Sequence, residues 1–417
     1  MAKKKVLLMA AGHLSSCPRL WKEAEALHAQ GYRIAIAFMQ SVPQISEFDQ
    51  VFMKKHREWE FHIFDWNDPS LRSRTIKYVS IIRCRWERFL NRFRSEAKQN
   101  ALAMQHSAYA LWTLIADAQA NLFIVHHPAG LAAVAKRAAQ LGVPYGYDIE
   151  DAFAYVRDGE FIENPDRLIY HTEKKYLPSA AYLSSASPMY ISLYREQYHL
   201  EQEMITVLNV FDTGREPAPD VYKDRRSPAA LSLYWVSQTV GMNRGLQDVF
   251  QALNVLNRRD VELHIRGRHD ADTREELMSA LEHEALRAQV FFHDALPASE
   301  LNARNREHDV GLALELNASL NRSYCISNKI FEYMSAGLAV IATDTLGQRA
   351  VLADHPESFF LYESGHIPAL AAHIAFLADH PEALRNAKAH ALHLSEARYN
   401  WTQEQVPLVA KIKALLG

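Results

Sequence analysis

The densest chemistry in this sequence lies in SNKIFEYMSAGLAVIA, residues 327–342. Ser327 or Asn328 is placed to cap a helix. The first turn of that helix offers N–H groups to an anion such as phosphate. Lys329 adds a positive charge at the same mouth. Glu332, one turn further in, is suited to accept both hydroxyls of a ribose. Phe331 and Met334 are expected to face inward, and Gly337 lets the chain turn into the next strand. The plain alternative is a capped surface helix with a paired Glu and an exposed Lys.

Four other groups have suggestive residue types. His126-His127 closes the apolar run Leu122–Val125, and a strand-end His is well placed for a ligand, though it serves packing equally well. Gly12-His13 and Arg19 follow the first apolar run, with Arg19 otherwise simply exposed at a helix start. Asp148, Glu150 and Asp151 cluster closely enough to hold a cation by charge alone. Asp270-Ala271-Asp272 spells D-x-D, but in the charged loop RHDADTREE it reads as a helix cap.

From Arg72 to Lys98, nine Lys or Arg stand against two Glu, a net of +7, which leaves −10 for the rest of the chain. Ile81, Ile82, Trp86, Phe89, Leu90 and Phe93 interleave at helical spacing. A basic amphipathic helix with Trp and Phe suits the surface of an anionic membrane. The alternative is a helix packed on its domain with a solvated basic face.

These residues need elements to position them. Val6–Ala10 reads as a strand, Arg19–Gln30 as a helix ended by Gly31, and Tyr32–Met39 as the next strand, a β-α-β unit with a parallel sheet. The theme returns at Leu122–Val125, the helix Gly130–Leu141 and the strand Tyr145–Tyr147. Residues 212–228 (DTGREPAPDVYKDRRSP) have a linker's composition. A second series follows: strand Leu231–Val236, helix Gly245–Asn257, strands Val261–Ile265, Val290–Phe292 and Val310–Leu314, helix Lys329–Ala336 and strand Leu338–Ala342. Two doubly wound α/β halves are expected, with ligands beyond the carboxyl ends of the strands in a cleft between them.

Length and composition fit that plan. The chain has 417 residues, 48% hydrophobic and 23% charged, enough for two or three domains with real cores. A net charge of −3 exerts no global pull on nucleic acid. Cys17, Cys84 and Cys325 stand too far apart for a disulfide framework or a C-x-x-C metal pair, which suggests a reducing cytoplasm. Val6–Met9 is too short for a signal core, and no stretch approaches the roughly 20 apolar residues of a spanning helix.

The order of the motifs resembles GT-B glycosyltransferases, in particular glycosyltransferase family 4. S-N-K-x-x-E-Y-x-x-A-G-x-x-V-I-A-T is similar to that family's C-terminal-domain signature. Val207–Asp212 resembles its crossing into the second domain, and Val240–Leu246 (VGMNRGL) its phosphate loop. His264–Gly267 resembles the strand and Gly that follow, and Val290–Leu296 the next strand and loop. Tyr399-Asn400-Trp401 resembles the segment before the last helix. In the first half, His127 resembles a sugar-pocket His, and Tyr147–Asp151 a D-x-x-E strand end. The sequence departs from the family at four places. Tyr324 stands eight positions before Glu332 where a first Glu is usual, and Ser237-Gln238 replaces an Arg. Gln348 replaces a Gly, and Gly12-His13 replaces an early Gly-Gly loop. Glu315 lies too far upstream for the family spacing, though it is placed to line the same site.

The resemblance implies two Rossmann-like domains: an acceptor-binding domain at 1–212 and a nucleotide-sugar-binding domain at 213–395, with a C-terminal helix at 396–417 crossing back to the first. It implies retaining transfer of a sugar from a UDP- or GDP-sugar to a glycan or lipid-linked acceptor in surface polysaccharide or glycoconjugate synthesis. No cofactor or metal is expected beyond the nucleotide-diphosphate donor, and no nucleic acid partner. His127, Arg244 and Lys329 are the expected catalytic residues. Glu332, Asn328, Ser327, Gly241, Gly267 and Tyr324 are expected around the donor. Gly12, His13, Arg19, Asp148 and Glu150 are expected around the acceptor. The expected location is the cytoplasm, peripheral at the inner face of the membrane. The alternatives are a catalytically silent GT-B subunit partnering another glycosyltransferase, and a sugar-nucleotide epimerase.

Overall fold

The computed structural model describes residues 3–95, 98–157, 160–161, 166–211, 224, 227, 229–316 and 319–417. The chain divides into two units. One comprises Met1–Val207 and Gln405–Gly417, the other Leu208–Glu404.

The first unit is built on β1 (Lys5–Met9), β2 (Arg33–Gln40), β3 (Glu60–Asp65), β4 (Leu122–Val125) and β5 (Tyr145–Ile149). A small antiparallel pair, β6 (Val156–Arg157) and β7 (Glu160–Phe161), lies outside the main sheet, which is completed by β8 (Tyr182–Ser185) and β9 (Met204–Thr206). The order is β3-β2-β1-β4-β5-β8-β9, with every neighbour parallel. Parallel strands need crossovers. These are helices α1 (Pro18–Ala29), α2 (Pro43–Lys55), α3 (Leu71–Asn91), α4 (Ala108–Ile115), α5 (Pro128–Leu141), α6 (Arg167–Tyr176) and α7 (Pro188–Tyr198). Every residue of β4 and β5 is buried, as expected of central strands covered on both faces.

The second unit has strands β10 (Leu231–Thr239), β11 (Val261–Arg268), β12 (Val290–His293), β13 (Val310–Ala313), β14 (Ala339–Thr343) and β15 (Phe359–Tyr362), in the order β12-β11-β10-β13-β14-β15. All pairs are parallel. Its helices are α8 (Leu246–Leu256), α9 (Ala271–Ser279), α10 (Glu284–Arg287), α11 (Ala298–Asn305), α12 (Leu320–Tyr324), α13 (Asn328–Ser335), α14 (Leu346–Leu352), α15 (Ile367–Asp379) and α16 (Pro381–Ala397), and α17 (Trp401–Leu416) starts in this unit and belongs from Gln405 on to the first. One core layer gathers Leu233, Trp235, Phe250, Ile265 and Ile341; the other gathers Tyr234, Ile330, Phe331, Tyr333 and Val340.

The division falls after Val207, where the sequence pattern placed it after Asp212. The reason is packing: Leu208 and Val210 are buried with Tyr234 and Tyr333 in the second unit's core. Most of the linker expected at 212–228 lies outside the described residues. The tail that joins the first unit is Gln405–Gly417, shorter than the expected 396–417. Lys411 pairs there with Glu203 at 2.6 Å, and Lys4 Nζ donates to the Gly417 carbonyl at 3.3 Å.

Candidate functional site

In the second unit the strand order reverses between β10 and β13. The carboxyl ends of two such strands leave a crevice where doubly wound sheets take ligands. Trp235 lies on β10 and Glu315 just beyond β13. The N-terminus of α13 brings Lys329 to both: its Nζ is 3.2 Å from Glu315 Oε1 and 5.6 Å from the centre of the Trp235 ring. Burial alone would raise the Glu315 carboxyl. The charge of Lys329 and the hydrogen bonds from Ser327 and Lys329 outweigh it and hold the group below its ordinary range. The indole Nε1 of Trp235 is buried and has no hydrogen-bond partner among the described residues.

Ser327 occupies the cap position of α13, but it does not cap. Its Oγ donates to Glu315 Oε1 at 2.9 Å, and Asn328 is the first helical residue, exposed to solvent. This corrects the expected capping role of Ser327, whose side chain leaves the first-turn N–H groups uncapped. Glu332 lies one turn further on and is partly exposed, while Ile330, Phe331, Tyr333 and Met334 anchor the helix in the core. Tyr333 was not singled out in the sequence. Its hydroxyl accepts from the Val236 N–H and donates to the Leu312 carbonyl, each at 3.3 Å, which ties α13 to β10 and β13. Gly311 makes room for its ring; a Cβ there would lie 2.2 Å from Tyr333 Cγ.

The loop after β10 runs through Gly241 and a short turn at Met242–Arg244 to Gly245, leaving Arg244 exposed. Gly245 has φ +79°, and a Cβ there would sit 2.6 Å from Leu314 Cβ. Only glycine permits that approach, which seats the Arg244 loop on the residue preceding Glu315. Gly267, at the end of β11, also has positive φ (+154°) and closes on the Ser237 carbonyl, 2.5 Å from its Cβ position. Tyr324 ends α12 and is partly exposed. Gln348, where a Gly was usual, is fully buried and donates to Thr343 O at 2.6 Å, bracing the end of β14.

The first unit corrects several expectations. Arg19 and Asp148 do not offer themselves to an acceptor; they form a buried bidentate pair, Nε–Oδ1 2.9 Å and Nη2–Oδ2 2.7 Å. Burial opposes ionisation of Asp148, yet Arg19 wins and its carboxyl is lowered to about 2. Arg19 also donates to the Val207 carbonyl. His13 is buried too. Its Nδ1 faces Asp49 Oδ2 at 2.8 Å and its Nε2 accepts from Ser41 and Val42 N–H at 2.9 and 3.0 Å, so the ring braces the start of α2 rather than an acceptor. Gly12 remains partly exposed at the end of β1.

His126 and His127 part ways. His127 caps α5: its Nδ1 accepts from the Ala129 N–H at 3.1 Å, its ring lies 4.7 Å from that of Phe153, and burial pushes it down to about 4. His126 is buried among Glu23 (3.0 Å), Glu150 (3.2 Å) and Cys17. Burial alone would lower its pKa, but contacts with Cys17, Glu150 and Glu23 raise it well above the ordinary value. The Cys17 thiol donates to Glu150 at 3.0 Å and is pushed up to about 12, by burial first and the Glu150 charge second. Cys17, Glu23 and His126 were missed as members of this network. Cys17, His126 and Glu150 bring sulfur, nitrogen and oxygen within 4.8 Å of one another; Glu23, His126 and Asp148, and separately His355, Glu357 and His390, bring nitrogen and oxygen atoms equally close among the described residues. Asp270 of the D-x-D caps α9, accepting from Thr273 N–H at 2.8 Å.

Residues 231–380 match the family model described as glycosyl transferases group 1. No curated protein matches the sequence. Among solved structures, the chain is similar to a glycosyltransferase from Rickettsia africae ESF-5 (TM-score 0.66, 12% identity, covering 100% of this chain and 99% of that one). It is similar to sucrose-phosphate synthase from Thermosynechococcus elongatus (0.67, 13%, 99% and 99%). It is also similar to Anabaena Alr3699/HepE solved with UDP and glucose (0.67, 14%, 99% and 100%). At these identities the likeness establishes the fold. The chain is a GT-B-fold protein with two Rossmann-like units, related to the group 1 glycosyl transferases through residues 231–380.

Proposed function

We propose that the protein is a glycosyltransferase that moves a sugar from a nucleoside-diphosphate sugar, UDP- or GDP-linked, to a glycan or lipid-linked acceptor, with retention of configuration. Lys329 at the N-terminus of α13, which the Ser327 side chain does not cap, within the region matching the group 1 family, carries this reading. The leaving diphosphate gains negative charge in the transition state, and a preorganised cation and helix N-terminus aimed at it lower the barrier. Lys329 and the exposed Arg244 supply the charge; the first-turn N–H groups of α13 supply fixed dipoles. Glu332 is assigned to the ribose, with Gly241, Gly267, Ser327, Asn328 and Tyr324 around the donor. Glu315 holds Lys329 in place and draws Ser327 Oγ away from the helix mouth. In the first unit, Gly12 and Glu150 remain for the acceptor, and His127 beside the sugar acts as a neutral hydrogen-bonding group. The crystal of HepE with UDP and glucose supports the donor class. The chemistry on these side chains calls for no metal. We place the enzyme in the cytoplasm, at the inner face of a membrane, in surface polysaccharide or glycoconjugate synthesis.

The test is turnover with a panel of UDP-, GDP-, ADP- and TDP-sugars, with and without glycan and lipid-linked acceptors. Nucleoside diphosphate release that depends on acceptor, with the product anomer matching the donor by NMR, is the expected result. Conversion of a sugar nucleotide without acceptor indicates an epimerase. Binding without turnover of any donor indicates a non-catalytic subunit.

A further inference from the structure

The first unit carries a surface that donor chemistry does not use. Along α3, Tyr78, Ile82, Trp86, Phe89 and, just past its end, Phe93 recur at intervals of four, four, three and four, which places them in one stripe. All are exposed, Ile82 at 65%, Trp86 at 58% and Phe93 at 75%. The opposite side of the helix is the packed one: Ser80 and Cys84 are buried, Ser80 Oγ donating to the His106 carbonyl. Five large apolar side chains in water on one helix are not explained by the unit's core. Arg74, Arg85 and Arg92 follow one edge of the stripe and Arg72 and Arg83 the other, all of them exposed.

Two cavities adjoin this helix. One, of about 320 Å³, is lined by Arg94, Lys98, Lys136, His171 and Lys175, with no carboxylate among the described residues of its wall. Arg94 shares its charge with Glu87. The other, of about 270 Å³, is lined by Leu102, Tyr109, Trp112, Ala132 and Ala133, with Arg83 at its rim. The two share Asn100, Ala101 and Lys136. Arg83 lies 4.3 Å over the Tyr109 ring and Lys136 5.3 Å over Trp112, so cations edge the apolar groove. A basic pocket continuous with an apolar groove, beside a helix with an exposed aromatic stripe, matches a molecule with a phosphate head and a hydrocarbon chain.

We infer that α3 docks in the plane of an anionic phospholipid surface, with a lipid phosphate seated among Arg94, Lys98, Lys136 and Lys175 and acyl chain along Tyr109 and Trp112. No described helix is long and apolar enough to cross a membrane, so the contact is interfacial. The inference rests on charge and apolar complementarity in the first unit and is independent of the sugar-transfer reading.

The test is co-sedimentation of the full chain with vesicles of phosphatidylcholine alone and with about one-third phosphatidylglycerol. Binding is expected only to the anionic vesicles and is expected to weaken with salt. Trp86→Ser/Phe89→Ser/Phe93→Ser is expected to weaken it at least tenfold, and each reversal at Lys98 or Lys175 to Glu at least about fivefold. These side chains are exposed or line a cavity, and circular dichroism with an unchanged unfolding midpoint verifies that each variant folds. Equal binding to neutral vesicles, or unchanged binding by the triple variant, overturns the inference. Protection by inorganic phosphate in the absence of any vesicle binding overturns it in favour of a soluble anion site. A change of oligomeric state in the triple variant, with vesicle binding unchanged, overturns it in favour of self-association.

Discussion

Lys329 Nζ stands 3.2 Å from Glu315 Oε1, a contact between the first turn of α13 and the residue just beyond β13. It joins the cation at the helix mouth to the strand end at the sheet's reversal point. Both side chains are mostly buried, so truncating either is expected to destabilise the second unit. A double-mutant cycle of Lys329→Ala and Glu315→Ala should give a coupling energy of about 1–2 kcal/mol in urea unfolding. A coupling near zero would mean that the pair does not position Lys329.

Gly245 should tolerate no side chain. Its φ of +79° and the 2.6 Å separation from Leu314 Cβ combine backbone strain with overlap. Gly245→Ala is expected to cost about 1–3 kcal/mol and to shift the Arg244 loop. Nucleoside diphosphate affinity should fall with it, measured by calorimetry, while Gly31→Ala, whose Cβ meets nothing within 4 Å, leaves affinity unchanged.

The buried Arg19–Asp148 pair predicts a structural phenotype. Asp148→Asn leaves the guanidinium without its counter-charge and is expected to lower stability by about 3–5 kcal/mol. In the wild-type protein, Asp148 is held below its unfolded value, so its contribution of about 2 kcal/mol is full above pH 4 and is lost as pH falls through about 2. Urea titrations of both proteins between pH 7 and acid check this. An Asn variant as stable as wild type would return Asp148 to acceptor binding.

Much of the fold was legible because it depends on local pattern. The strands at Val6, Leu122, Leu231 and Val310 begin as short, mostly apolar runs, and Gly31 and Gly337 mark helix ends in the sequence itself. The inward turn of Phe331 and Met334 followed from helical spacing. Pairing at a distance was not legible. Glu23 lies 103 positions from His126, and Arg19 lies 129 from Asp148. Nothing local distinguishes a ligand-facing Arg from one committed to a buried partner. The sequence marks His126-His127 only as the end of an apolar run; it does not reveal that His127 caps α5 or that His126 meets Glu23, Glu150 and Cys17. Tyr333 was hidden for the same reason: its value lies in the space left by Gly311, on another strand.

Glu173 supplies a pH dependence in the first unit. Its carboxyl is fully buried, and burial raises it to about 7, although hydroxyls of Tyr198, Tyr147 and Tyr194 at 2.6, 2.9 and 2.9 Å lower it in part. A group raised on folding stabilises below its unfolded value near 4.5 and loses that contribution as pH rises through about 7. Between pH 5 and 8 the wild type should therefore lose about 3 kcal/mol relative to Glu173→Gln. Parallel pH profiles for the two proteins would contradict the assignment.

The central claim is that the N-terminus of α13 binds a nucleoside diphosphate with Lys329 on its phosphates. Isothermal calorimetry of UDP and GDP with the wild type and Lys329→Ala tests it most directly. One nucleotide should bind the wild type, and the variant should lose about 10–100-fold in affinity, the worth of one charge-assisted contact. Equal affinity in the two proteins, or no binding of either nucleotide to the wild type, would contradict it.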